Sequence, residues 1–188
     1  MRISQETDNS LVTLAAAGDA EAFGHLLERY ASAVRRVTRS VLENPDDADD
    51  AAQEAFLSAW RHLERYDPRR PFGPWLMRIA LNAAYDARRR RSVRTTEPLQ
   101  DHTAASGTTP EVTADRALLR DRVRAALQQL PERRRLAVLL YDAEGYSHRE
   151  IGELLSIPEG TVRSEVFHAR RALRETLKAH GEDIDDES

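Results

Sequence analysis

Cysteine is absent from the 188-residue chain, which excludes disulfide frameworks, thiolate zinc sites and cysteine nucleophiles together. The fold has to stand on packing alone, and the length suits one domain or two small ones. Long hydrophobic runs are missing as well. The longest, residues 136–141, falls far short of the roughly 20 residues that span a bilayer. Residues 1–10 lack the apolar region of a signal peptide, so the expected location is the cytoplasm. No segment alternates convincingly with period two, which leaves helices as the only regular element to expect.

The formal net charge of -4 argues weakly against a nucleic-acid binder, but the local field is what a polyanion meets, and the charges are segregated. Residues 88–91 are all arginine, and Arg163, Arg170, Arg171 and Arg174 form a second basic cluster. Acidic stretches occupy residues 46–50 and 182–187. Such a chain can hold DNA at one surface and a basic protein at another.

Apolar periodicity predicts a first long helix after Gly18 and Asp19, with Phe23, Leu26, Leu27, Tyr30, Val34, Val37 and Val41 as its buried stripe and Asn44 and Pro45 at its end. A second helix carries Ala48, Ala51, Ala52, Ala55, Phe56, Ala59 and Trp60, and stops at Asp67 and Pro68. After an irregular connection over residues 69–73, a third runs through Trp75, Leu76, Ile79, Ala80, Ala83 and Ala87 into the arginine run. These three make a first compact bundle. Between about Ser92 and Thr113 the apolar period gives way to Thr, Ser, Pro, Gly and Asp, the composition of a flexible linker. Helical spacing returns with Leu119, Val123, Ala126, Leu127 and Leu130, and Pro131 opens a further helix through Leu140. The expected architecture is all-α: a first domain over residues 1–95, a linker over 96–113, a second domain over 114–180, and a disordered acidic tail over 181–188.

Ser147 and Glu150 have capping-box spacing and mark a short helix whose inner face is Ile151, Leu154 and Leu155. Ser156 and Ile157 make a tight connection, Pro158 opens the next helix, and Val162, Val166, Ala169 and Leu173 are its buried side. Two short helices so joined form a helix-turn-helix, whose second helix can enter a major groove. Thr161, Arg163, Ser164, Glu165 and His168 lie on or near its outer side.

Opposite the alanine face of the second helix stand Asp46, Asp47, Asp49, Asp50, Gln53 and Glu54. Asp47, Asp50 and Glu54 share one face by their spacing of three and four. A calcium loop would need a glycine at its sixth position, which is missing, and the segment is helical in pattern. No histidine or nucleophile is tied to these carboxylates, and the six histidines form no ligand-spaced pair. No metal, cofactor, small-molecule substrate or enzymatic activity is therefore expected. A helix-turn-helix regulator with an N-terminal sensor or dimerisation domain stays open as an alternative, although such a domain has no evident need for an acidic stripe beside an arginine-rich helix.

Residues 47–60, DADDAAQEAFLSAW, followed by residues 74–82, PWLMRIALN, resemble region two of bacterial sigma factors. Leu130-Pro131, Gly145-Tyr146-Ser147, Glu150-Ile151 and residues 158–164, PEGTVRS, resemble region four. Their order and the short chain are similar to the extracytoplasmic-function group of the sigma-70 family, over roughly residues 10–95 and 115–178. The resemblance implies a dissociable subunit of RNA polymerase that recognises promoter DNA and helps to open it, commonly held by an anti-sigma factor. By matching position, Asp47, Asp50, Gln53 and Glu54 would contact the polymerase clamp helices, with Phe56 and Trp60 in the core. Arg78, Asn82, Tyr85, Arg88 and Arg89 would face the minus-ten element, and the loop from Arg65 to Phe72 would hold an unstacked base. Thr161, Arg163, Ser164, Glu165, His168 and Arg171 would face the minus-thirty-five element, with Arg170 adding backbone attraction. Ser156 departs from a usual turn glycine, and Glu165 and His168 depart from usual basic residues.

Overall fold

A computed structural model describes residues 5–94 and 114–178; the expected linker at 96–113 and tail at 181–188 lie outside the described residues. The chain divides into two compact units, and all regular structure among the described residues is helical.

The first unit contains α1 (Gln5–Ala16), α2 (Ala20–Val41), α3 (Pro45–His62), a 3-10 turn (Leu63–Arg65) and α4 (Phe72–Arg94). Helix α2 starts where its Asp19 cap accepts hydrogen bonds from the amides of Glu21 and Ala22. Asn44, expected to end α2, begins α3 instead: its side chain accepts from the amides of Asp46 and Asp47, and Pro45 fills the first turn, where no amide is needed. Helix α3 turns Ala48, Ala51, Ala52, Ala55 and Ala59 inward, all buried, against α2 and α4. The connection expected over residues 69–73 is shorter than its composition suggests. Helix α4 begins at Phe72, and Pro74 sits inside its first turn, where its missing amide costs nothing.

Further departures from expectation lie in this unit. Helix α1 was not foreseen. Its Val12 and Ala15 are buried, but its anchor is polar: buried Asp8 accepts hydrogen bonds from Arg29 and, at 2.6 Å, from the Tyr30 hydroxyl. Trp60 is not core. It is 37 % exposed, with its ring centroid 4.9 Å from that of Phe23 at the rim. Leu27, assigned to the α2 stripe, is exposed.

Tyr30, Tyr66, Phe72 and Trp75 make one aromatic cluster, with ring centroids 5.2 to 5.7 Å apart in tilted and edge-on pairs. The Tyr66 hydroxyl donates to the Arg70 carbonyl and so closes the loop into α4. Its pKa is pushed up to about 12, first by burial and then by the negative charges of Asp8 and Asp67.

The second unit contains α5 (Ala114–Gln129), α6 (Glu132–Val138), a π turn (Leu139–Ala143), α7 (His148–Leu155) and α8 (Glu159–Lys178). Helix α6 does not run regularly through Leu140; it loosens into the π turn, closed by the Glu144 amide donating to the Leu139 carbonyl at 3.3 Å. The capping box is formed: the Glu150 amide donates to Ser147 Oγ, and the Ser147 amide to the Glu150 carboxylate at 2.8 Å. Val162, Val166 and Ala169 are buried as expected, whereas Leu154, Leu155 and Leu173 are only half-buried. Ser156 adopts the left-handed conformation, φ 56° and ψ 44°, so the turn keeps glycine geometry without glycine. Gly152 is the residue the turn cannot replace, because a Cβ there would stand 2.7 Å from the Ile157 carbonyl oxygen, whose own amide donates back to Gly152.

Gly152→Ala should destabilise the second unit by roughly 1–3 kcal/mol, since backbone must move, while Ser156→Gly should stay within about 1 kcal/mol of wild type on the stabilising side. Urea unfolding followed by circular dichroism checks both. In the first unit, the Tyr66 contribution to stability is fully present below pH 10 and is lost as pH rises through about 12. Tyrosinate absorbance should therefore show a late step whose amplitude Tyr66→Phe reduces.

Candidate polymerase and promoter interfaces

In the first unit the acidic side of α3 lies opposite its alanine face. Asp50 and Gln53 are exposed and unpaired among the described residues. Asp47, Asp49 and Glu54 are each paired with an arginine. Arg91 donates to Asp47 at 2.5 Å, both nitrogen-to-oxygen distances from Arg39 to Asp49 are 3.0 to 3.1 Å, and Arg61 reaches Glu54 at 3.3 Å. All of these pairs are open to water. Each is worth about 0–1 kcal/mol in such a setting, so a partner can displace the arginine at little cost. Leu57 and Trp60, both exposed, lie along the same helix.

Helix α4 buries Leu76, Met77, Ala80, Leu81 and Ala84 and presents Arg78, Asn82, Tyr85 and Arg89 at spacings of four, three and four on one side. Arg78, Asn82, Arg88 and Arg89 are exposed, and Tyr85 is half-buried. The Arg88 guanidinium lies over the Tyr85 ring, 5.0 Å from its centroid, and Arg89 pairs with Asp86. Trp75 belongs to the aromatic cluster rather than to this face. Arg65 is exposed on the 3-10 turn. In the loop that follows, Asp67 accepts from the amide and Nε of Arg69, both at 3.0 Å. Those bonds hold its carboxyl below the usual carboxylate range.

In the second unit, Arg163, Ser164, His168 and Arg171 are exposed on α8 and Thr161 is half-buried. Arg163 and Arg171 each pair one turn along the helix, with Glu159 and Glu175, at 2.9 Å. Glu165 is placed differently. Its side chain is 19 % exposed and accepts from Arg134 Nε of α6 at 2.9 Å, so it faces a protein cation. Phe167, missed in the sequence, is 63 % exposed between Arg163 and Arg171, its ring edge-on to His168 at 5.5 Å. Trp60 and Phe167 share the signal that would have found them: a large apolar side chain on or next to a charged helix face.

Residues 26–94 match the family Sigma-70 region 2, and residues 120–173 match Sigma-70, region 4. The chain is 36 % identical over 190 residues to the RNA polymerase sigma-H factor of Pseudomonas aeruginosa, covering 94 % of this chain and 96 % of that one. It is 35 % identical over 173 residues to the ECF RNA polymerase sigma factor SigM of Mycobacterium tuberculosis, covering 92 % and 86 %. Its fold is similar to the structure of CnrH in complex with the cytosolic domain of CnrY, with a TM-score of 0.68 and 31 % identity over 92 % of this chain and 98 % of that chain. Region 2 packs its acidic and arginine-rich helices together, region 4 follows with its helix-turn-helix, and relatives align along nearly the whole length; the chain belongs to the extracytoplasmic-function group of the sigma-70 family of RNA polymerase sigma factors.

Proposed function

We propose that the chain binds core RNA polymerase through the outer side of α3 and meets promoter DNA with α4, the loop before it, and α8. The observation that carries this reading is the charge partition inside one small unit. Helix α3 turns carboxylates to one side while α4, packed against it, runs out into four consecutive arginines. Asp47, Asp50, Gln53 and Glu54, with Trp60 and Leu57 as apolar neighbours, suit a partner surface that is basic with an apolar centre. Such an interface takes its hold from the aromatic side chain and its selectivity from the charges.

Arg78, Asn82, Tyr85, Arg88 and Arg89 suit the minus-ten element. The arginines supply phosphate attraction, and Tyr85 and Asn82 supply a ring and an amide able to take up a base. The loop over 66–71, pinned by Tyr66 and Asp67 and flanked by Arg65, is a stiff place to hold an unstacked base. Thr161, Arg163, Ser164, His168 and Arg171 of α8 suit major-groove contact at the minus-thirty-five element. The Arg134 contact supports Glu165 as a shaper of that face rather than a reader of bases. The protein acts in the cytoplasm, performs no chemistry itself, and is held in check by an anti-sigma partner, a reading supported by the similarity to CnrH in its complex with the cytosolic domain of CnrY. A stand-alone regulator is not favoured, because region 2 spans most of the first unit.

Reversing Asp50 and Glu54 to lysine should leave helical content intact and weaken binding to core polymerase by at least about ten-fold, as like charges then face the basic partner. Fluorescence titration of labelled protein with core enzyme checks this, and unchanged affinity would remove α3 from the interface. Arg88→Ala with Arg89→Ala should lower the slope of log affinity against log salt by roughly 1 to 2 on promoter DNA, as fewer counterions are released. An unaltered slope would take both arginines off the phosphate surface.

A further inference from the structure

Arg170 belongs by sequence to the basic cluster of α8, yet it stands apart from Arg163 and Arg171, which pair within their own helix. It falls four residues after buried Val166 and three before half-buried Leu173, on the flank between the core stripe and the outer face. Its guanidinium makes a fork onto Asp142, with Nε donating to Oδ2 at 3.0 Å and the terminal nitrogen donating to Oδ1. It also lies over the Tyr141 ring, 5.1 Å from the centroid. Tyr141 in turn stacks nearly flat on His148, with centroids 4.4 Å apart and planes 17° from parallel.

Asp142 and Tyr141 come from the π turn, and His148 is the first residue of α7. One side chain of α8 is thus clasped to the turn before the helix-turn-helix and, through Tyr141, to the start of its first helix. A two-point guanidinium–carboxylate fork fixes orientation as well as distance. Apolar packing does not fully enclose this part of α8, because Leu173, three residues on from Arg170, is only half-buried.

We propose that Arg170 and Asp142 are a positioning pair that sets the angle at which α8 meets the upstream promoter element, and that Arg170 is not a phosphate contact. This rests on the reading that α8 faces that element. The alternative role for Arg170 predicts effects of the opposite kind, which makes the two separable. A phosphate-binding arginine contributes charge, so lysine replaces it well, its loss lowers the salt slope by about 0.9, and removal of the nearby Asp142 carboxylate strengthens DNA binding. A positioning arginine contributes geometry, so lysine fails, the salt slope holds, and removal of Asp142 weakens recognition as much as removal of Arg170 does.

The test uses the full-length chain with core polymerase, on a promoter selected from a randomised library by the wild-type complex and on the same duplex with its upstream element scrambled. The readout is the ratio of the two affinities, which a loss of stability alone does not move while the protein stays folded. Arg170→Ala, Arg170→Lys, Asp142→Ala and the double alanine variant should each lower that ratio by about ten-fold, the double no more than the singles, with an unchanged salt slope. A lysine variant with the wild-type ratio, or a tighter Asp142→Ala variant with a reduced slope for Arg170→Ala, would overturn the proposal. If the wild-type complex itself does not distinguish the scrambled element, the assignment of α8 fails, and the positioning role falls with it.

Discussion

The first unit depends on the alanine face of α3. Ala48, Ala51, Ala52, Ala55 and Ala59 are at most 4 % exposed, and methyl-sized side chains let neighbouring helices approach toward the short end of the usual interaxial range. Burial of that face leaves the charged positions of α3 outside it, which is why the carboxylates emerge together. Helix α4 packs on the same helix and carries its arginines on beyond its buried residues. A larger residue at any of these positions would separate the acidic and basic surfaces that the unit holds side by side.

Those surfaces are partly charge-balanced within the protein. Arg91 spans from the end of α4 to Asp47 at the start of α3, and Arg39 and Arg61 cover Asp49 and Glu54. Because these pairs are exposed, they hold the side chains near the surface without committing them. On α8 the same arrangement covers Arg163 and Arg171 with glutamates one turn away. The net charge of -4 therefore says little about either interface, since the charges at each are set by local pairs that a partner can exchange.

Apart from α1, the helices of both units were legible because their buried stripes are regular, and the capping box and the Ser156 turn were legible because their chemistry is local. What escaped has a common cause in distance along the chain. Helix α1 is seated by Asp8 on residues 21 and 22 positions away, and a carboxylate gives no apolar signal. Glu165 meets Arg134 across 31 positions, and Arg170 meets Asp142 across 28. Outer-face charges and inward-paired charges look alike until the fold is known. Trp60 misled for the opposite reason: its spacing fits the stripe, yet its ring stops at the rim against Phe23.

Promoter choice conferred on RNA polymerase, rather than duplex recognition by the chain alone, is the function to test. Its most direct measurement is transcription from a genomic fragment library by core polymerase with and without the purified chain, paired with duplex binding by the chain alone. Discrete new transcript starts that require both proteins are expected, with at most weak duplex binding by the free chain. Tight sequence-specific binding by the free chain, with no new starts in the presence of core polymerase, would contradict it.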